Sequence, residues 1–104
     1  MISLRGLIFQ FRDLPGNPGY TVPTPVEDPV VILDQYKRAA QFAKEAGFDG
    51  VELHAGNGYL CEQFLSDMSN KREDKWGGTR ENRARFTLAA IDSLLEIWPA
   101  GSVG

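Results

Sequence analysis

The chain is 104 residues long, 42% hydrophobic and 24% charged, the makeup of a single small soluble globular domain, with nothing that suggests disorder. Eleven Lys and Arg against 14 Asp and Glu give a net charge of -3, and the basic residues are scattered, which argues against nucleic acid or an acidic membrane as a partner. A single cysteine, Cys61, excludes an internal disulfide and fits a reducing compartment, and no apolar run is long enough to span a bilayer, so the expected location is cytoplasmic.

In chain order, Leu7-Ile8-Phe9-Gln10-Phe11 reads as a short strand closed in by Gly6 and Pro15. Pro15, Pro18, Pro23, Pro25 and Pro29, with Gly16 and Gly19, then fix extended and turn geometry and exclude a helix between them. Asp28 is an N-cap and Pro29 a first helical residue that misses no amide hydrogen. Ile32, Tyr36, Ala39, Ala43 and Ala46 recur at spacings of three and four, a stripe of mostly small residues suited to lying close on a sheet. Gly47 supplies a left-handed cap, and Phe48-Asp49-Gly50 turns the chain into a strand.

That strand, Val51-Glu52-Leu53-His54, ends in Ala55-Gly56-Asn57-Gly58-Tyr59. Side chains alternate along a strand, so Val51 and Leu53 face one way, Glu52 and His54 the other. In α/β folds ligands bind beyond the carboxyl ends of strands, where this polar cluster falls. Leu60 with Phe64, and Cys61 with Leu65, predict a short helix to about Ser66. Cys61 reads as a packed side chain rather than a nucleophile, since the chain's single histidine is His54 and no second one exists to partner it. A polar, irregular stretch from Asp67 to Gly78 precedes a second long helix starting at Thr79, with Glu81 in its first turn. Its buried stripe is Phe86, Ala90, Leu94 and Ile97, broadened by Leu88, Ile91, Leu95 and Trp98, and Pro99 with Gly101 ends it.

Residues from Ala43 onward carry a family pattern. Ala46-Gly47-Phe48-Asp49-Gly50-Val51-Glu52-Leu53-His54, Asn57-Gly58-Tyr59-Leu60, Gln63-Phe64-Leu65, Asn70, Arg72, Asp74, Gly77-Gly78 and Glu81-Asn82-Arg83-Ala84-Arg85-Phe86 resemble the old yellow enzyme family of FMN-dependent ene-reductases. The resemblance implies an α/β fold, part of a TIM (β/α)8 barrel: residues 16–104 form the partial barrel, and residues 1–15 match nothing in the family. Val51 to His54 is then the fourth barrel strand, the helices on either side are the third and fourth, and Val103 opens the fifth strand. The implied cofactors are FMN and, as reductant, NADPH or NADH; the substrate is an enone or a related electron-poor alkene.

By the same resemblance, His54 and Asn57 bind the substrate carbonyl and Tyr59 is the catalytic proton donor. Hydride addition to an enone builds negative charge on the carbonyl oxygen, and two positioned donors there lower the barrier. The α-carbon then needs a proton, and a phenol remains protonated at neutral pH. Asn57, where a second histidine can stand, points to the branch without the His-x-x-His pattern. Trp76 takes the place of a tyrosine or phenylalanine, and Thr79-Arg80 that of Ser-Ile or Ser-Leu, differences that bear on packing around the fourth helix.

Outside the motif, Glu52 is expected to brace polar groups inside the barrel. Arg72 with Asp74, and Glu81 with Arg83 and Arg85, are expected to form structural ion pairs. No glycine-rich phosphate loop runs from a strand into a helix, so the chain's own cofactor-binding residues stay unassigned, and no metal site is indicated. An eight-stranded barrel needs about 250 residues. The expectation is therefore a truncated piece of an ene-reductase, inactive and loosely packed in isolation; the alternative is a non-catalytic interaction segment.

Overall fold

The computed structural model describes residues 24–104; the expected strand at Leu7–Phe11 and most of the proline-rich loop lie outside them. Thr24 to Asp28 is irregular, and helix α1 spans Pro29–Glu45. The Asp28 side chain accepts from the Val30 amide at 2.9 Å, and proline stands at the first helical position. Gly47 has φ +84°, a left-handed conformation that any Cβ would strain.

Residues 51–54 are extended, but the expected strand is reduced to one parallel bridge between Val51 and Val103. Its bonds are Val51 N–H to Ser102 O (2.9 Å), Gly104 N–H to Val51 O (3.0 Å) and Leu53 N–H to Gly104 O (2.7 Å). A ladder needs residues on both sides, and residues 102–104 supply too few to register a strand. Val103 nevertheless pairs with Val51 in the parallel sense. Helix α2 spans Leu60–Leu65 and α3 Arg80–Leu95, the latter capped by the Thr79 hydroxyl, which accepts from Asn82 N at 3.3 Å. A 3-10 turn, Ala100–Ser102, leads into Val103.

Two apolar clusters hold these elements together. The larger gathers Leu60, Cys61, Phe64, Trp76 and Phe86. Phe86, fully buried, stacks on Phe64 with ring centroids 4.1 Å apart and meets Trp76 edge-on at 6.3 Å. Trp76 thus fills the α2–α3 corner, the packing role expected of it. The smaller cluster, Ala40, Leu94 and Trp98, ties α1 to the end of α3, and the Trp98 indole donates to Ala40 O at 3.0 Å. Lys44 donates to Ile97 O at 2.7 Å and Lys37 pairs with Glu96.

Three expectations about burial and pairing are corrected. Leu88 (59% exposed) and Leu95 (40%) stand on the outer face of α3, so only Phe86, Ala90, Leu94 and Trp98 of that set are fully buried. Ala46 is exposed and Ala40 is the buried alanine of α1; the small-residue stripe borders an open groove instead of a covered face. Arg83 and Arg85 do not pair with Glu81: Arg83 donates to Leu65 O (2.8 Å) and Gly78 O (2.6 Å), and Arg85 to Lys75 O (2.9 Å) and Asn82 Oδ1 (2.8 Å). The Glu81 carboxyl is held below the usual carboxylate range by its own backbone amide and by the Thr79 hydroxyl, the chemistry of a helix start.

The Arg72–Asp74 pair does form. Arg72 meets Asp74 at 2.6 Å and donates to Val26 O at 2.5 Å, anchoring the segment before α1 to the loop before α3. Asn70, buried, stitches the same loop: its amide donates to Phe64 O (2.7 Å) and Trp76 O (2.8 Å), and its oxygen accepts from Arg72 N (3.1 Å).

Candidate active site

The polar cluster sits where the extended run ends. Tyr59 N–H donates to Gly56 O at 3.2 Å, closing a turn whose central residues, Asn57 (φ +57°) and Gly58 (φ +74°), are both left-handed. That pattern belongs to a type I′ turn, for which Asn-Gly is the favoured pair. Asn57 is the only non-glycine residue with positive φ among the described residues. Tyr59 is the N-cap of α2, its carbonyl accepting from Gln63 N at 2.9 Å.

The structure brings His54 and Tyr59 together: their rings meet edge to face, centroids 5.0 Å apart and planes at 63°. His54 Nε2 is buried without a hydrogen-bond partner, alone in this among the side chains of the described residues. Asn57 is exposed at the tip of the turn, its amide making no hydrogen bond to another described residue. Glu52 is exposed and makes no side-chain hydrogen bond among the described residues, so the bracing role is not seen. Cys61 is fully buried, and burial pushes its thiol up against the opposing pull of the Tyr36 and Thr87 hydroxyls, which suits packing rather than nucleophilic chemistry.

Sequence reasoning assigned no role to Glu62, nor to Gln63, which it quoted only within the family pattern. Glu62 accepts the Gly58 N–H at 2.6 Å, and the Gln63 side-chain amide donates to Gly58 O at 2.6 Å. The one available signal was their position, in the helical turn directly after a glycine-containing turn.

His54 and Tyr59 also line a groove of about 440 Å³ with Tyr36, Ala39, Ala43 and Val51. Residues 50–54 all line it, and on the edge of that segment opposite the Val103 bridge Glu52 and His54 make no backbone hydrogen bond to another described residue. A free parallel edge beside a helix of small residues is the shape that a neighbouring strand fills in a (β/α)8 barrel.

A helix, an extended segment with polar residues beyond its carboxyl end, and a further helix follow one another in the order of a βα unit. The model of the NADH:flavin oxidoreductase / NADH oxidase family matches residues 27–98, and the chain belongs to that family. It is 53% identical over 73 residues to a putative 12-oxophytodienoate reductase 6 of Oryza sativa subsp. japonica, covering 70% of this chain and 19% of that protein. It is 52% identical over 66 residues to an NADPH dehydrogenase of Bacillus velezensis, covering 64% and 20%. Among solved structures, morphinone reductase superposes with a TM-score of 0.79 at 43% identity, over 83% of this chain and 24% of that one. An Old Yellow Enzyme from a Pichia species gives 0.71 at 40% identity, over 81% and 22%. The chain thus spans about a fifth of the length of the curated relatives it matches. Its fold is part of a TIM barrel, and FMN and NAD(P)H are the cofactors of the family.

The side chains present fit one end of such a cofactor site. An orphaned, buried imidazole nitrogen suits a polar atom of a bound substrate or flavin. Among the described residues nothing cradles a phosphate: the N-termini of α1 and α3 are taken by Asp28 and by Thr79 with Glu81. No helix among the described residues is long and apolar enough to cross a membrane.

Proposed function

We propose that this chain carries the substrate-polarising and proton-donating wall of an ene-reductase that reduces the C=C bond of α,β-unsaturated carbonyl compounds. FMN, when bound, supplies hydride drawn from NADPH or NADH to the alkene β-carbon. His54 Nε2 and the Asn57 amide donate to the carbonyl oxygen as negative charge gathers there, each contact worth about 3 kcal/mol by analogy with single oxyanion donors. Tyr59 delivers its phenolic proton to the α-carbon and is reprotonated from solvent.

The observation that carries the reading is His54 Nε2, a buried nitrogen with no hydrogen-bond partner among the described residues, beside the ring of Tyr59. Buried polar atoms are nearly always satisfied within a fold, so an orphan at a strand's carboxyl end is best explained by a ligand. The names of the relatives support an enone-like substrate, since 12-oxophytodienoate and morphinone reductases are among them. Within the same reading, residues 16–104 form one barrel segment with 1–15 outside it. A cytoplasmic location fits Cys61, which is buried and unpaired.

The test is to incubate the chain with FMN, desalt it, and record the visible spectrum, then add NADPH and 2-cyclohexen-1-one. A retained, shifted flavin band that NADPH bleaches and the enone restores supports the reading, and His54→Ala should then slow the enone half-reaction by about 100-fold. No retained flavin, together with His54 and Asn57 signals that do not respond to the enone in an NMR titration, would overturn it for this chain.

A further inference from the structure

We propose that Glu62 and Gln63 are positioning residues that fix the directions of Asn57 and Tyr59 by gripping the Gly58 peptides from both sides; their part in catalysis rests on the reading above.

Two peptide planes flank Gly58. Its N–H belongs to the plane shared with Asn57, and its C=O to the plane shared with Tyr59. Glu62 Oε2 holds the first at 2.6 Å, and Gln63 Nε2 holds the second at 2.6 Å. Both grips come from the first turn of α2, which the Phe64–Phe86 stack locks against α3. The buried core therefore sets the orientation of two peptide planes in an otherwise exposed turn.

The two grips tie to α2 a turn that Asn-Gly already favours. Returning Asn57 from φ +57° to the negative φ usual for a non-glycine residue would turn the Asn57–Gly58 peptide with it. That rotation would swing the Gly58 N–H away from Glu62, so the carboxylate opposes it. It would also carry the Asn57 side chain to a new direction. Likewise, displacing the Gly58–Tyr59 peptide would break the Gln63 bond and shift the Tyr59 Cα, from which its ring reaches His54. A carboxylate acceptor and an amide donor in adjacent positions match the polarity of the two groups they hold.

The test uses the 15N,13C-labelled chain in four variants, E62Q, E62L, Q63L and Q63E. E62Q removes the charge but keeps an acceptor; E62L removes both. Q63L removes the donor, and Q63E sets a carboxylate against a carbonyl. Expected are Gly58 amide exchange about ten- to a hundredfold faster in E62L and within a few-fold of the parent in E62Q. His54–Tyr59 ring cross-peaks should weaken in E62L, Q63L and Q63E, while Phe64–Phe86 cross-peaks stay unchanged. The proposal is overturned if Gly58 protection and the ring cross-peaks are the same in all four, if E62Q behaves as E62L does, or if the core cross-peaks are lost together with those of the turn. The flavin and enone experiments are read separately: a chain with the grip intact whose His54 and Asn57 ignore the enone removes the enzymatic reading and leaves the geometric result standing.

Discussion

Gly50→Ala should break the only strand pairing among the described residues. A Cβ built at Gly50 would lie 2.6 Å from Ser102 O and 3.3 Å from Ser102 C, backbone atoms that cannot rotate aside. The chain must part there, and the bonds that pull residues 102–104 onto residues 51–53 are the three between the two segments. At about 1 kcal/mol net for each, their loss amounts to about 3 kcal/mol, or roughly a hundredfold in an opening equilibrium. Amide hydrogen exchange reads this directly: protection of Val51, Leu53 and Gly104 should fall by about that factor, while amides within α3 keep theirs. Gly101→Ala is the control, since a Cβ there meets nothing within 4 Å. Unchanged protection of Val51 and Leu53 in G50A, or equal losses in G101A, would refute the steric account and the pairing with it.

Phe86→Ala, removing a fully buried ring stacked on Phe64 and edge-on to Trp76, should cost about 3–5 kcal/mol in urea denaturation, against less than about 0.5 kcal/mol for the exposed Leu88→Ala. Cys61, buried and with its thiol pushed up, should react with Ellman's reagent at pH 8 far more slowly in the native chain than in urea; equal rates would mean that the core is not packed as described. The Arg72 guanidinium holds the Asp74 carboxyl below its usual range, with help from the Trp76 amide. The unfolded chain therefore binds the proton more readily, so this contribution is complete above the ordinary carboxylate pKa of about 4 and is lost as pH falls further. Trp76 amide protection should accordingly drop in acid and not between pH 5 and 7, and Asp74→Asn should remove that dependence.

What could be read in advance follows the range of the forces involved. The start of α1 rests on Asp28 and Pro29, neighbours whose capping chemistry is complete within three residues, and it is placed to the residue. The strand at 51–54 was legible as alternation, but its registration depends on a partner of which residues 102–104 supply only the first contacts. Leu88 and Leu95 were misplaced because periodicity marks apolar positions without saying which arc of the helix is covered. Arg83 and Arg85 were misread for a related reason: charge suggests a carboxylate partner, whereas the nearby unpaired groups were the carbonyls of Leu65, Lys75 and Gly78. The grip of Glu62 and Gln63 was hinted at only by their position after a glycine-containing turn, and its geometry follows from the left-handed pair at 57 and 58.

His54, Asn57 and Tyr59 lie within six consecutive residues, yet three different devices orient them. The histidine is set by the extended backbone and its pairing at Val51 and Leu53, the asparagine by a left-handed turn, and the tyrosine by the N-terminus of a helix anchored in the aromatic core. Two of the devices share a support, since the Glu62 carboxylate grips the turn from the helix that the Phe64–Phe86 stack anchors, while the first draws on residues 102–104. G50A should therefore disturb His54 without moving the turn, whereas F86A should disturb Asn57 and Tyr59 together through α2.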